Sequence, residues 1–207
     1  MAIYSGPTCP FSHRVRMVLA EKDITLDIVD VDPNDPPVEV LENSPYLELP
    51  VLVDRGLVLY QSTLIMEYLD ERFPHPPLMP VDPMSRAQAR SMIYRIDRDW
   101  YAALQLLMRG ERKKATQEAA KVLRDGLTAV APVFSQQGYV LGDALTLVDC
   151  VLAPLLWRLP LVGVALPKAG QPVLEYGQRL FGLPSFKASL SPAEREMVAP
   201  ALMSAAR

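Results

Sequence analysis

Residues Tyr68 to Pro83, Y-L-D-E-R-F-P-H-P-P-L-M-P-V-D-P, divide the chain into two kinds of sequence. Before them, short β-branched runs alternate with helical periodicity; after Pro83 the pattern is helical only. Each of Pro74, Pro76, Pro77, Pro80 and Pro83 removes a backbone N–H, holds φ at about −65° and turns its predecessor away from helix. A helix running into this stretch must stop at Phe73. The segment beyond Phe73 reads as semi-rigid and close to polyproline II, able to hold side chains in a defined pose. It carries His75, one of two histidines, and the apolar pair Leu78 and Met79. The residues allow two readings. One is a stiff linker that tucks Leu78 and Met79 into a domain interface; the other is a docking epitope, because a conformationally fixed segment presents side chains at low entropic cost.

Toward the N-terminus, Ala2 to Ser5 is a short strand, and Gly6-Pro7-Thr8-Cys9-Pro10 turns into a helix with Val15, Val18 and Leu19 at helical spacing. Thr25 to Val31 has strand character, and Asp32 to Pro37 ends it. A short helix over Val38 to Asn43 precedes two strands, 50–53 and 57–60, with Arg55-Gly56 between them as a hairpin turn. Ser62 is placed to cap the helix that ends at Phe73. The order β-α-β-α-β-β-α matches a thioredoxin-type fold, a small mixed sheet with helices on its faces. Beyond Pro83, helices are expected over 85–108, 111–134, 147–159 and 173–181, with a short one near Pro192. Ser191-Pro192-Ala193-Glu194 there combines an N-cap, a proline at the first helical position and a Glu able to close a capping box. The expected fold class is therefore α/β plus all-α: a thioredoxin-like domain over 1–76, a proline-rich linker over 77–84 and a helical domain over 85–207.

Half of the 207 residues are hydrophobic, enough to build real cores. No apolar run approaches the roughly 20 residues that span a bilayer, and the N-terminus lacks a secretory pattern. Cys9 and Cys150 are too few for a disulfide framework and are not spaced as a metal site, so a reducing cytoplasm is expected and no membrane partner or metal. A net charge of −3 argues against independent nucleic-acid binding through phosphate neutralisation. Basic residues do cluster locally, at Arg86, Arg90, Arg95 and Arg98 and again at Arg109, Arg112, Lys113 and Lys114, interspersed with Asp97, Asp99 and Glu111. They form either a solvated helix face or a contact for an acidic protein partner.

Three segments could carry chemistry. Cys9-Pro10-Phe11-Ser12 lies between the first strand and the first helix, where free N–H groups and the helix dipole favour an anion such as a thiolate. With Ser12 instead of a second Cys, only monothiol chemistry remains, namely attack on a mixed disulfide or glutathione adduct. The plain alternative is a small residue at a helix start, with His13 and Arg14 as polar neighbours. Leu49-Pro50 precedes the third strand, where proline is permitted at the first residue. Gln61-Ser62 opens the next helix and suits a small carboxylate, although an ordinary N-cap explains Ser62 equally well. Together the three would make a glutathione site. Thr146-Leu147-Val148-Asp149 is a capping box that nucleates the helix ending near Trp157, and its role is folding.

The two-domain layout with these motifs resembles the glutathione transferase fold, which implies that Pro50 is cis and leaves Leu49's backbone open to a peptide-like ligand. More narrowly, M-E-Y-L-D-E-R-F-P-H-P-P-L-M-P from Met66, Y-R-I-D-R-D-W-Y from Tyr94, L-V-D-C-V-L-A-P-L-L-W-R-L-P from Leu147 and L-S-P-A-E-R-E-M from Leu190 resemble the bacterial stringent starvation protein A family. That resemblance implies a homodimer that associates with RNA polymerase holoenzyme, sigma factor included, and regulates transcription under starvation and acid stress without transferase activity. It assigns partner binding to Pro74, His75 and Pro76, with Tyr68 and Pro77 as neighbours, and implies no cofactor. Cys9 departs from several family members. It keeps open a rival reading, an omega-like, glutathione-dependent thioltransferase with Cys9 as nucleophile and Phe11, Leu49, Pro50, Gln61 and Ser62 around the tripeptide. Gln61 stands where an acidic residue would pair with the α-ammonium of glutathione.

Overall fold

The structure, a computed structural model, describes residues 1–32, 34–110 and 112–197. Pro33 of the expected turn, Glu111 at an expected helix start and in the basic cluster, and 198–207 of the expected helical domain lie outside them. The chain forms two compact units, one of Met1–Pro77 with the chain from Pro184, the other of Leu78–Leu183.

The first unit holds a four-stranded sheet, β1 (Ala2–Ser5), β2 (Asp27–Asp30), β3 (Val51–Asp54) and β4 (Leu57–Tyr60), in the order β2-β1-β3-β4. β1 and β2 are parallel, so a crossover must join them, and α1 (Pro10–Glu21) supplies it. β3 pairs antiparallel with both β1 and β4; Asp54 lies opposite Leu57 across the two-residue turn at Arg55-Gly56. The second strand is shorter than its sequence pattern, and all four of its residues are exposed at the sheet edge. Helix α2 (Val38–Asn43) contributes Val40 to a buried cluster with Val31 and Val51, and Tyr4, Leu49, Val53 and Val58 pack against it. Helix α3 (Ser62–Arg72) buries Ile65, Met66 and Leu69 completely, about 1.5–3 kcal/mol of apolar burial for each. It ends with Phe73 as C-cap, where the prolines begin.

In the second unit, α4 (Pro83–Arg95) starts from Asp82, whose carboxylate accepts the Ser85 N–H at 2.8 Å, with Pro83 in the first turn. The expected helix over 85–108 is interrupted by a π-helical stretch, Ile96–Tyr101, before α5 (Ala102–Arg109), and Gly110 ends α5 at φ 63°. Helix α6 (Lys113–Ala129) passes into a 3₁₀ turn, Ala131–Ser135. Helix α7 (Leu147–Arg158) is buried at every residue, and α8 (Gln171–Gly182) packs beside it. The Thr146 and Asp149 capping box is formed as expected. The Asp149 carboxylate also accepts the Val140 N–H at 3.0 Å and the Tyr176 hydroxyl, so a buried charge is surrounded by donors. Burial and that carboxylate push the Tyr176 phenol far up, keeping it a donor.

The C-terminal segment requires a correction. Helix α9 (Pro184–Ser189) and the helical stretch 192–197 fall within the expected helical domain, 85–207, yet they pack in the first unit, with α9 against α1. The physical reason is a set of polar partners on α1 that a local helix pattern does not reveal.

Candidate functional site

Gly6 begins the turn that positions Cys9. A Cβ at residue 6 would lie 2.7 Å from the Cys9 Cβ, so the turn closes only around glycine. The Gly6 N–H donates to Ser12 Oγ at 3.0 Å and the Cys9 N–H to the Gly6 carbonyl at 3.2 Å. Cys9 is the N-cap residue of α1 with extended backbone, its side chain free of capping duty. Its half-buried thiol lies 3.7 Å from the Leu49 carbonyl, and the Leu49–Pro50 peptide is cis.

Ser62 is not the cap of α3. The cap position is Gln61, exposed and held at φ 73° without a side-chain capping bond, a left-handed conformation costing on the order of 1 kcal/mol. Ser62 is the first helical residue and is buried; its hydroxyl accepts from Arg14 Nε at 2.8 Å and Nη2 at 2.5 Å. The Arg14 guanidinium also stands 4.9 Å from the Phe11 ring centroid. The structure thus joins Cys9 to Leu49 and α1 to the start of α3, with Arg14 bonded to the acceptor side of the Ser62 hydroxyl.

His13 and Arg16, on the same helix, are buried too. Arg16 donates to the Ser5 hydroxyl at 2.6 Å, the Gly6 carbonyl at 3.3 Å, the Ser189 carbonyl at 2.9 Å and Glu194 Oε2 at 2.7 Å. His13 Nε2 is 3.0 Å from Ser189 Oγ, and since that hydroxyl donates to the Phe186 carbonyl, the ring is the donor in this pair. His13 Nδ1 is 3.4 Å from Glu194 Oε1. Ser191 and Glu194 form the expected capping box, and the Ser191 hydroxyl reaches the Pro7 carbonyl at 2.5 Å. Both carbonyls of the Gly6-Pro7 turn are thereby tied down, one by Arg16 and one by the C-terminal segment. No sequence signal marks His13 and Arg16 as members of this network, because the partners they share in the C-terminal segment lie more than 170 residues away.

At the other end of α1 stands Lys22, its C-cap residue, which sequence reasoning does not single out. Its buried ammonium donates to the Phe73 carbonyl at 2.7 Å and the Pro76 carbonyl at 2.6 Å, and meets Asp70 Oδ1 at 2.7 Å. Three donors have three acceptors, an arrangement that offsets the desolvation of a buried lysine. The loop so held turns its other face to water: Pro74, His75, Pro76 and Pro77 are all exposed, while Leu78 and Met79, which open the second unit, are buried. The His75–Pro76 peptide is cis, unlike the expected polyproline II conformation. Tyr68, half-buried on α3, donates its hydroxyl to Asp54 Oδ2 at 2.6 Å. That hydrogen bond, with the Arg72 guanidinium nearby, holds the Asp54 carboxyl below its ordinary range; the same bond, with burial and the Asp54 charge, pushes the Tyr68 phenol up against the opposing pull of Arg72.

Comparison with known proteins divides the chain at the same junction. The glutathione S-transferase N-terminal domain model matches residues 3–77 and the C-terminal domain model matches residues 83–184. Solved structures with this fold include BphK, a bacterial glutathione S-transferase, with a TM-score of 0.85 at 22% identity over 94% of this chain and 100% of that one. Another is the omega 3C glutathione transferase of Trametes versicolor, with a TM-score of 0.80 at 24% identity over 99% and 91%. The stringent starvation protein A homolog of Coxiella burnetii is 49% identical over 95% of this chain and 94% of its own length. That of Pasteurella multocida is 45% identical over 92% and 90%. The chain belongs to the stringent starvation protein A family and is built on the glutathione S-transferase fold.

Proposed function

We propose that this protein is a transcription regulator of the stringent starvation protein A type, acting in the stress and starvation response. It works as a cytoplasmic homodimer, through protein–protein contact with RNA polymerase holoenzyme and its sigma factor. Its role is recruitment, without bond-making, without independent nucleic-acid binding and without a membrane; no described helix is long and apolar enough to cross one. The observation that carries the proposal is the pinned loop. Pro74, His75, Pro76 and Pro77 face water while Lys22 grips the Phe73 and Pro76 carbonyls from behind, so a partner meets a preorganised surface and little ordering entropy is lost on docking.

The test is capture of purified holoenzyme by the full-length protein and by a Pro74→Ala, His75→Ala variant, which leaves Pro76 and the lysine grip in place. Wild type should retain polymerase and the folded, equally dimeric variant should not. Equal retention by both would move the docking surface elsewhere, and retention by neither would remove the regulatory reading.

The half-buried Cys9 thiol at the start of α1 favours a second reading, a glutathione-dependent thioltransferase. The residues fit the cysteinyl end of a thiol tripeptide: an accessible thiol faces the Leu49 carbonyl beside the cis Pro50. At the γ-glutamyl end Gln61 offers no charge to an ammonium, while Ser62, which accepts from Arg14, keeps its own proton to donate to a carboxylate. Retention on glutathione resin together with Cys9-dependent reduction of a glutathione mixed disulfide would establish this reading; loss of neither in a Cys9→Ser variant would end it.

A further inference from the structure

Strand β2 (Asp27–Asp30) ends the sheet on one side, with no strand beyond it. The Val31 N–H donates to the Ser5 carbonyl at 2.9 Å, and backbone groups alternate in direction along a strand, so Asp27, Val29 and Val31 are the residues that bond to β1. The N–H and C=O of Ile28 and Asp30 therefore point outward, and among the described residues they meet no partner. Side chains alternate as well: each face of the edge presents one carboxylate and one apolar group, Asp27 with Val29 on one and Ile28 with Asp30 on the other. Ile28 keeps 49% and Val29 37% of its surface in water.

The charge around this edge has one sign. Nine Asp and Glu residues stand from Glu21 to Glu48 against one cation, Lys22, whose ammonium is buried with Asp70. Arg14 and Arg16 on α1 are buried too, so they do not offset the exposed Asp23, Asp27, Asp30, Asp32 and Asp35. A second copy of β2 does not fit here. In parallel register each Asp would face its like, and in antiparallel register Asp27 would face Asp30, carboxylate against carboxylate either way. The same symmetry defines the strand that fits: read in either direction, D-I-V-D is complemented by cation, apolar, apolar, cation.

We propose that the β2 edge docks an extended segment of a protein partner with the pattern cation-apolar-apolar-cation, which adds to the sheet as a fifth strand. Its backbone bonds to Ile28 and Asp30, its cations lie beside Asp27 and Asp30, and its apolar pair lies beside Ile28 and Val29. The surface uses no residue of the Pro74–Pro77 loop, so its test and that of the polymerase reading succeed or fail separately.

The probe is an end-capped, fluorescein-labelled peptide, Gly-Thr-Lys-Val-Val-Lys-Thr-Gly, titrated into the full-length protein and followed by anisotropy. Saturable binding is expected, and hydrogen exchange at the Ile28 and Asp30 amides should slow in the complex. A peptide with its core permuted to Lys-Lys-Val-Val, and one N-methylated at both valines so that neither of its edges can pair, should each bind about tenfold more weakly or worse. Asp27→Lys, Asp30→Lys, a double change at exposed side chains, should exchange the preference, so that the variant binds a Glu-Val-Val-Glu core and releases the lysine one. Absence of saturable binding would leave Asp27 and Asp30 as guards of the edge and overturn the proposal. So would equal binding of the permuted or N-methylated peptide, which reports charge attraction without strand pairing, or a double variant that keeps the wild-type preference.

Discussion

The two ends of α1 serve two loops in opposite ways. At its N-terminus the Cys9 turn is drawn inward: Gly6, Pro7 and Ser12 direct their polar groups to the protein itself, and the C-terminal segment closes over them through Ser191 and Glu194. At its C-terminus, about 20 Å along the helix, Lys22 directs its charge to the Pro74–Pro77 loop and leaves that loop's side chains outside. One turn is closed by internal hydrogen bonds and the other is held with its side chains outside, which is the contrast on which the proposed docking role rests. The turn that would hold a ligand is consolidated by internal hydrogen bonds, and a proline-rich junction is stiffened into a surface.

The sharpest way to break the contrast is at the inward end. Glu194→Ala leaves the Arg16 guanidinium buried without its carboxylate, and should lower unfolding stability by about 3–5 kcal/mol, read as a fall in the denaturant midpoint. Lys22→Met acts at the outward end. It removes the cation beside Asp70 and the donor of two carbonyls and should cost about 2–3 kcal/mol, with polymerase capture weakened as the loop loses its grip. His75→Ala changes an exposed side chain and should shift stability by no more than about 0.5 kcal/mol, so that any loss of capture reports contact and not folding.

The smallest effect is a dependence on pH at Tyr68. Because the folded-state pKa of Asp54 lies below its ordinary value of 3.8, the Tyr68 hydrogen bond adds stability that is fully present above that value. It is lost as pH falls through the folded-state pKa. Wild type and Tyr68→Phe should therefore differ near neutrality and converge in acid; a gap that persists undiminished at the lowest pH would assign the difference to packing.

Local signals in the sequence are faithful wherever the cause is local. The Arg55-Gly56 turn, the stop of α3 before Pro74 and the capping boxes at Thr146 and Ser191 all arise from residues within a few positions of one another. The thioredoxin-like sheet is legible for the same reason. The hidden features depend on distant partners. The S-P-A-E box announces a helix but not that its Glu will meet His13 and Arg16, and so helical pattern alone puts the segment from Pro184 in the wrong unit. Ser62 looks like a cap until Arg14 reaches it, and Lys22 looks like an ordinary surface lysine at a helix end until the Pro76 carbonyl arrives. The π-helical break at Ile96–Tyr101 leaves no mark, because its residues continue the helical pattern on both sides.

The most direct measurement compares two variants in one holoenzyme capture assay, Cys9→Ser at the inward loop and Pro74→Ala, His75→Ala at the outward one. Capture by Cys9→Ser should equal that of wild type, while the loop variant, equally folded and equally dimeric, should retain no polymerase. If Cys9→Ser loses capture, or the loop variant keeps it, the functional surface is not the loop that Lys22 holds.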